Sequence, residues 1–275
     1  MLMVPGKPSI RVGGTLVSRY FAADVVKLVR QRVTVAGSPP LAVGSVNVDH
    51  LHHFRAGEVE LGNELDWLWL ADGAPVAWRG SRLSGGPWPR VTGADLLGPL
   101  LDVCAEHQAQ VGFFGGMPQT HERLAAVLAQ RHPSAPPPLF WSPAREEIES
   151  SRASTELAAQ IRACGVHVLV VGLGKPRQEL WMERYGAATG AAVLLAFGAA
   201  ADFLAGEVNR APVAYQKYGL EWLYRLRQEP RRLARRYLLQ GPPAVLRLRH
   251  AVLDTPTSEG LTPTSPARPG WRTCG

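Results

Sequence analysis

Short apolar, β-rich runs alternate with helix-patterned segments along most of this chain, and that alternation constrains its fold more than any other feature. The strand-like runs are LAVGSVNVDH (41–50), LDWLWLADG (65–73), VGFFGG (111–116), HVLVVGLG (167–174) and AAVLLAFGAA (191–200). Between or beside them lie amphipathic stretches: SRYFAADVVKLVRQR (18–32), a helix opening near Thr92–Asp95, PQTHERLAAVLAQ, STELAAQIRACG and QELWMERYGAATG. Strands spaced by helices in this way predict an α/β fold, a Rossmann-like and mostly parallel sheet with helices on both faces. In such sheets ligands bind beyond the carboxyl ends of the strands. The polar turns at Asn47, Asp72, Gly115, Lys175 and Asp202 are therefore expected to be neighbours.

The division expected along the chain is an α/β catalytic domain over 1–205, a basic helical appendage over 206–252 and a flexible tail over 253–275. Residues 1–15, rich in Gly and Pro, are expected to order only against other parts of the protein. In GLEWLYRLRQEPRRLARRYLLQ six arginines stand among Trp222, Leu226, Leu233 and Tyr237 near helical spacing, and Pro230 marks a new helix or a kink. That many cations beside aromatic residues suit phosphates or an anionic membrane surface. The tail is rich in Thr, Pro, Ser and Gly.

Composition narrows the classes further. With 275 residues and 46% apolar content, general disorder is excluded. A net charge of +7 favours acidic or phosphorylated partners without selecting among them. Cys104, Cys164 and Cys274 have neither metal-ligand spacing nor a disulfide framework, which fits a reduced, cytosolic setting. The N-terminus lacks a sustained apolar signal segment and no uninterrupted apolar run approaches the length of a membrane helix, so a soluble or peripheral protein is expected. GLGKPRQ lacks the GxGxxG spacing of a dinucleotide site and is not a Walker loop. The histidines at 50, 52 and 53 form no metal-ligand pattern, and no metal is expected.

Taken in order, VNVDHL, ADGAPVAWRGSRLSGGPWPRVTGADLL, GFFGGMP, VGLGKPRQELWM, FGAAADFLAGEVNRAP and KYGLEWLYRLRQEPRRLARRY resemble the WecG/TagA/CpsF glycosyltransferase family over most of residues 41–240. The resemblance implies an inverting, metal-independent transferase without a cofactor. It would move an N-acetylmannosamine-type sugar, or its uronic acid, from a UDP donor to a polyprenyl-diphosphate-linked sugar in cell-surface polysaccharide synthesis. It further implies residence in the cytoplasm, peripheral on the cytoplasmic face of the membrane; the basic appendage adds an anionic membrane surface as a partner, and the pattern leaves monomer and homo-oligomer both open. Asp72, in the DG segment, is the implied general base, because an acceptor hydroxyl attacks only as its proton is taken.

On the same grounds Asn47 orients acceptor, donor sugar or Asp72, and Arg90 meets a diphosphate or sugar carboxylate. Thr92 and Gly115 line the matching turns. Lys175 counters phosphate charge, Gln178 makes directional bonds to sugar or phosphate, and Glu179 orients a cation or caps the helix. Arg210, Arg225, Arg231, Arg232, Arg235 and Arg236 are the candidates for the leaving diphosphate, carried by a lid. Ala74 and Pro75 replace the commoner glycine-valine continuation, and APPPLFWSPAREE stands where many members have an HGYF-like segment. The competing readings are transfer to a soluble natural-product or nucleoside acceptor, a noncatalytic assembly scaffold, and nucleic-acid binding, the last disfavoured because no recognised module accompanies the arginines.

Overall fold

The computed structural model describes residues 7–35, 37–54, 64–207, 211–212, 215 and 221–254, with the side chain of Arg232 excepted. Among these, strands β1 (Ser9–Val12), β2 (Thr15–Ser18), β3 (Leu41–Val46), β4 (Asp66–Ala71), β5 (Val111–Phe114), β6 (Leu139–Trp141), β7 (Val168–Val171), β8 (Val193–Leu195) and β9 (Val252–Asp254) form one sheet. Its order is β6-β5-β7-β8-β3-β4-β2-β1-β9. From β6 to β2 every pairing is parallel, and the β2–β1 and β1–β9 pairings are antiparallel. The mostly parallel sheet expected from the alternation is the one found.

The period of two along each central strand explains why both faces are covered. Val168 and Val170 enter one apolar cluster while Leu169 and Val171 enter another, and Val193 and Leu195 alternate with Leu194 in the same way. On the first face pack α1 (Ala22–Thr34), α4 (Gly93–Glu106), α5 (Pro118–Arg131) and α9 (Gly198–Leu204), which contribute Val25, Leu96, Leu124 and Ala200. On the second, α6 (Arg145–Glu149), α7 (Ser151–Ala163) and α8 (Arg177–Tyr185) contribute Ile148, Ile161 and Met182. Farther along that face, α2 (Val48–His53) and α3 (Ala74–Ser84) close over Trp69 with Leu51 and Val76.

The basic stretch breaks into α10 (Glu221–Gln228), α11 (Pro230–Ala234), a π-helical turn at Arg235–Gln240 and α12 (Gly241–Arg247). Its far end is built into the body of the protein. Ala244, Leu248 and Ala251 are buried in the cluster with Ile10 and Trp69, and β9 then pairs with β1, with Arg11 donating to Asp254 at 2.8 Å. The last strand thus takes residues 253 and 254 out of the stretch read as tail, and 255–275 lie outside the described residues. The N-terminal segment forms a β1–β2 hairpin that orders against β9 and β4. Strand β2 extends to Ser18, so the helix expected from residue 18 begins at Ala22, where the Asp24 carboxylate accepts from Phe21 N at 3.1 Å. Among the described residues no helix is long and apolar enough to cross a membrane.

Candidate active site

Register alone brings the principal candidates together. Val46 on β3 pairs with Ala71 on β4, so the next residues, Asn47 and Asp72, leave the sheet side by side. Phe114 on β5 pairs with Val171 on β7, which does the same for Gly115 and Gly172. All four therefore stand at the carboxyl edge of the parallel strands.

At the β3–β4 position the local sequence fixes the backbone. Asp72 N donates to Val46 O at 3.0 Å, and Pro75 in the first turn of α3 starts a helix immediately after the Asp72-Gly73 corner. Asn47 caps α2, its Oδ1 accepting from His50 N at 3.1 Å, while its Nδ2 donates to Asp72 Oδ2 at 3.4 Å. One amide thus ties the helix start to the carboxylate. Val91 N donates to Ala71 O at 2.8 Å, which lays the segment carrying Arg90 and Thr92 beside the same strand end.

Asp72 keeps part of its surface exposed, yet dense protein surrounds its carboxyl, and burial pushes it up from 3.8 to about 6. Four neighbours act on that value. Lys175, a hydrogen bond from Ser45 and Arg90 pull it down, and Glu221 pushes it up. A carboxyl that exchanges its proton near neutrality is suited to accept one from a hydroxyl and release it again.

Lys175 is only 8% exposed, and its Nζ donates to Ser45 O at 2.9 Å and to Glu179 Oε1 at 2.5 Å. Gln178 Nε2 donates to the same Glu179 Oε1 at 3.0 Å and to Ala196 O at 3.2 Å. Glu179 is wholly buried, and its second oxygen has no hydrogen-bond partner. These three side chains knit the β7–α8 turn to the ends of β3 and β8. Their charge acts on Asp72 through Lys175, which crosses from one strand end to the other.

Gly172 of the VGLG turn serves close approach, whereas Gly174 faces open space and takes φ +74°. A Cβ on Gly198 would lie 2.5 Å from Gly172 Cα, and one on Gly115 would lie 2.7 Å from Gly172 O. Gly115 also takes φ +90°, open to glycine and strained for other residues. Its carbonyl accepts from His121 Nε2 at 2.8 Å, which leaves His121 Nδ1 to accept from the Ser142 hydroxyl at 3.2 Å.

Thr92 is the N-cap of α4: its hydroxyl accepts from Asp95 N at 3.1 Å and donates to Asp95 Oδ2 at 2.7 Å. Arg90, half-buried, pairs with Glu221 at 3.2 Å. Of the appendage arginines, Arg225 is half-buried with its guanidinium 5.5 Å from the Phe203 ring. Arg236 lies 3.2 Å from Asp49 as an ion pair without hydrogen-bond alignment. Arg231 and Arg235 are exposed. Arg210 and the side chain of Arg232 lie outside the described residues.

Three participants escaped the sequence reading. Ser45 sits inside a strand, where a hydroxyl gives no positional signal. Glu221 lies at the start of the arginine-rich stretch GLEWLYRLRQEPRRLARRYLLQ, and only the fold brings it to Arg90. His50 is wholly buried between Phe54 and Trp69, with Nε2 3.0 Å from Thr15 Oγ1; burial first, then Lys175 and His53, hold it well below its usual range and so neutral. Among the described residues no three His, Cys, Asp or Glu side chains converge in a metal-holding group.

The family model described as Glycosyl transferase WecG/TagA/CpsF family matches residues 10–257. That span runs from β1 through β9 and contains every residue of the Asp72 cluster, and this chain belongs to the WecG/TagA/CpsF glycosyltransferase family.

Proposed function

We propose that the protein transfers an N-acetylmannosamine-type sugar, or the related uronic acid, from UDP to a polyprenyl-diphosphate-linked sugar with inversion at the anomeric carbon. The observation that carries this reading is the Asp72 carboxyl, poised at about 6 at the carboxyl end of β4 and hydrogen-bonded by Asn47. In the reaction the acceptor hydroxyl gives its proton to Asp72 while its oxygen bonds to the anomeric carbon. The bond from that carbon to the UDP oxygen breaks, and UDP leaves with the electron pair on the opposite face. Asn47 orients the carboxylate, and Arg90, whose charge acts on the Asp72 carboxyl, and Arg225 at the start of the C-terminal helices are suited to the diphosphate. The negative charge that a divalent ion would otherwise meet is assigned to these guanidiniums and to backbone donors.

Acceptor delivery fits the outer surface of the C-terminal helices. Trp222, Leu223, Leu238, Leu239 and Leu246 are exposed there among Arg231 and Arg235, a composition suited to an anionic membrane surface. Incubation with a panel of UDP-sugars and lipid-diphosphate sugar acceptors, with EDTA and without added metal, tests the reading by product mass. A gain of one sugar on the lipid acceptor is expected. Transfer to soluble acceptors alone, or UDP binding without any transfer, would replace it.

A further inference from the structure

Glu221 is the first residue of α10, and it is the one acidic group that the basic C-terminal helices bring to the Asp72 cleft among the described residues. It is mostly buried, at 17% exposure, and its Oε2 stands 3.2 Å from Arg90 Nη1. Arg90 belongs to the segment tied to the end of β4 through Val91 N. The contact therefore joins the start of the C-terminal helices to the strand end that carries Asp72. The far end of the same helices is held independently. Arg247 donates to Leu51 O at 2.9 Å, Arg79 donates to the carbonyls of Arg249 and Ala251, and α12 buries Ala244 against the α2 side of the sheet. Loss of the Glu221 contact would thus free the Arg90 guanidinium while α10 stays held by Arg225 over the Phe203 ring and α12 and β9 stay in place.

We propose that Glu221 is a positioning residue of the transfer site: it docks α10 onto Arg90 beside Asp72 and occupies the guanidinium that an incoming diphosphate must take over. The inference rests on the transferase reading for the identity of that diphosphate. Electrostatics give it a second consequence. The charged groups acting on Asp72 are Lys175 from the β7–α8 turn, Arg90 from the segment before α4, and Glu221 from α10, with Ser45 and Asn47 as neutral hydrogen-bonding neighbours. Glu221 alone among the charged three strengthens the hold of Asp72 on a proton. A docked α10 makes the base stronger, and a diphosphate seated on Arg90 in place of Glu221 frees that carboxylate to move away.

The test is Glu221→Gln in the full chain, which keeps size and removes charge. UDP affinity measured by calorimetry is expected to rise by about threefold, the order a part-exposed ion pair contributes when it ceases to compete. The Asp72 titration midpoint, followed by carboxyl-carbon NMR without substrate, is expected to fall. Glu221→Asp restores both, and in an Arg90→Ala background Glu221→Gln changes UDP affinity little. Unchanged or weaker UDP binding with an unmoved midpoint overturns the proposal, because a merely structural contact would give that result. A wild-type protein with no affinity for UDP overturns the transferase reading and the displacement by diphosphate with it. A midpoint that still falls would then leave Glu221 only as a neighbour of Asp72.

Discussion

Replacing Asp72 by Asn should make this protein more stable at neutral and alkaline pH. The carboxyl rises from 3.8 to about 6 on folding, and at about 1.4 kcal/mol per pH unit the native state carries a cost of about 3 kcal/mol once the group is ionised. The sign follows from proton counting. Between 3.8 and about 6 the native state holds the proton and the unfolded chain has released it, so stability falls as pH rises through that window. The amide has no proton to lose, and it can still accept from Asn47 Nδ2. The pull of Lys175, Arg90 and Ser45 on the carboxylate is already contained in the net value, which makes about 3 kcal/mol the full expected gain. In a chain of this size that corresponds to a rise in Tm of about 6 °C at pH 8. The gap should close as the pH falls below about 4, where both states of the wild type are protonated. Thermal unfolding of both proteins across this range is the assay. An Asn variant that is equally or less stable at pH 8, or a gap that does not change with pH, would refute the argument that burial dominates at this site.

Three other outcomes follow from the same contacts. The rate constant kcat/KM for sugar transfer should rise with pH and level off above about 6, since the free enzyme must hold Asp72 ionised; a rate independent of pH across this range would remove Asp72 from the proton transfer. Lys175→Met strands the buried Glu179 carboxylate, and chemical denaturation should show a loss of about 3 kcal/mol. Because Lys175 also lowers the proton affinity of Asp72, the acid limb of kcat/KM in any folded fraction should move upward, and a downward move would contradict the assignment. Leu238→Ser with Leu239→Ser changes two exposed side chains, so Tm should hold while binding to anionic vesicles in a sedimentation assay weakens by at least about tenfold; unchanged sedimentation would place the membrane contact elsewhere.

The layered architecture was legible because burial on both faces leaves near-continuous apolar strands, as in HVLVV and AAVLLA, between amphipathic helices. The convergence at Asn47 and Asp72 follows from the same pattern, since parallel strands align their carboxyl ends. What the alternation does not encode is the long-range pairing. Arg11 and Asp254 are separated by 243 residues, and strands as short as β1, β2 and β9 carry no periodic signal of their own. Lys175 illustrates the limit for side chains. Its residue type suits phosphate, whereas in the fold its Nζ reaches Ser45 and Glu179 and acts on Asp72. Thr92 stands in a motif rich in substrate-like groups and caps a helix. Glu221 and Arg90, 131 residues apart, meet only because the basic helices return to the sheet. That return also bears on truncation: a chain ending near residue 205 would lose β9 and the buried Ala244, Leu248 and Ala251 along with the arginines, and lost turnover in it would report a damaged core as well as the missing arginines.

The central claim, Asp72-dependent inverting transfer, is tested most directly by comparing product formation in wild type and Asp72→Asn, with the anomeric configuration of the product read by NMR. The account predicts an inverted linkage from the wild type. The variant should retain UDP affinity and lose transfer by at least about a hundredfold, the range a general base supplies. Transfer by the variant at a wild-type rate, or a product that keeps the donor's anomeric configuration, would contradict it.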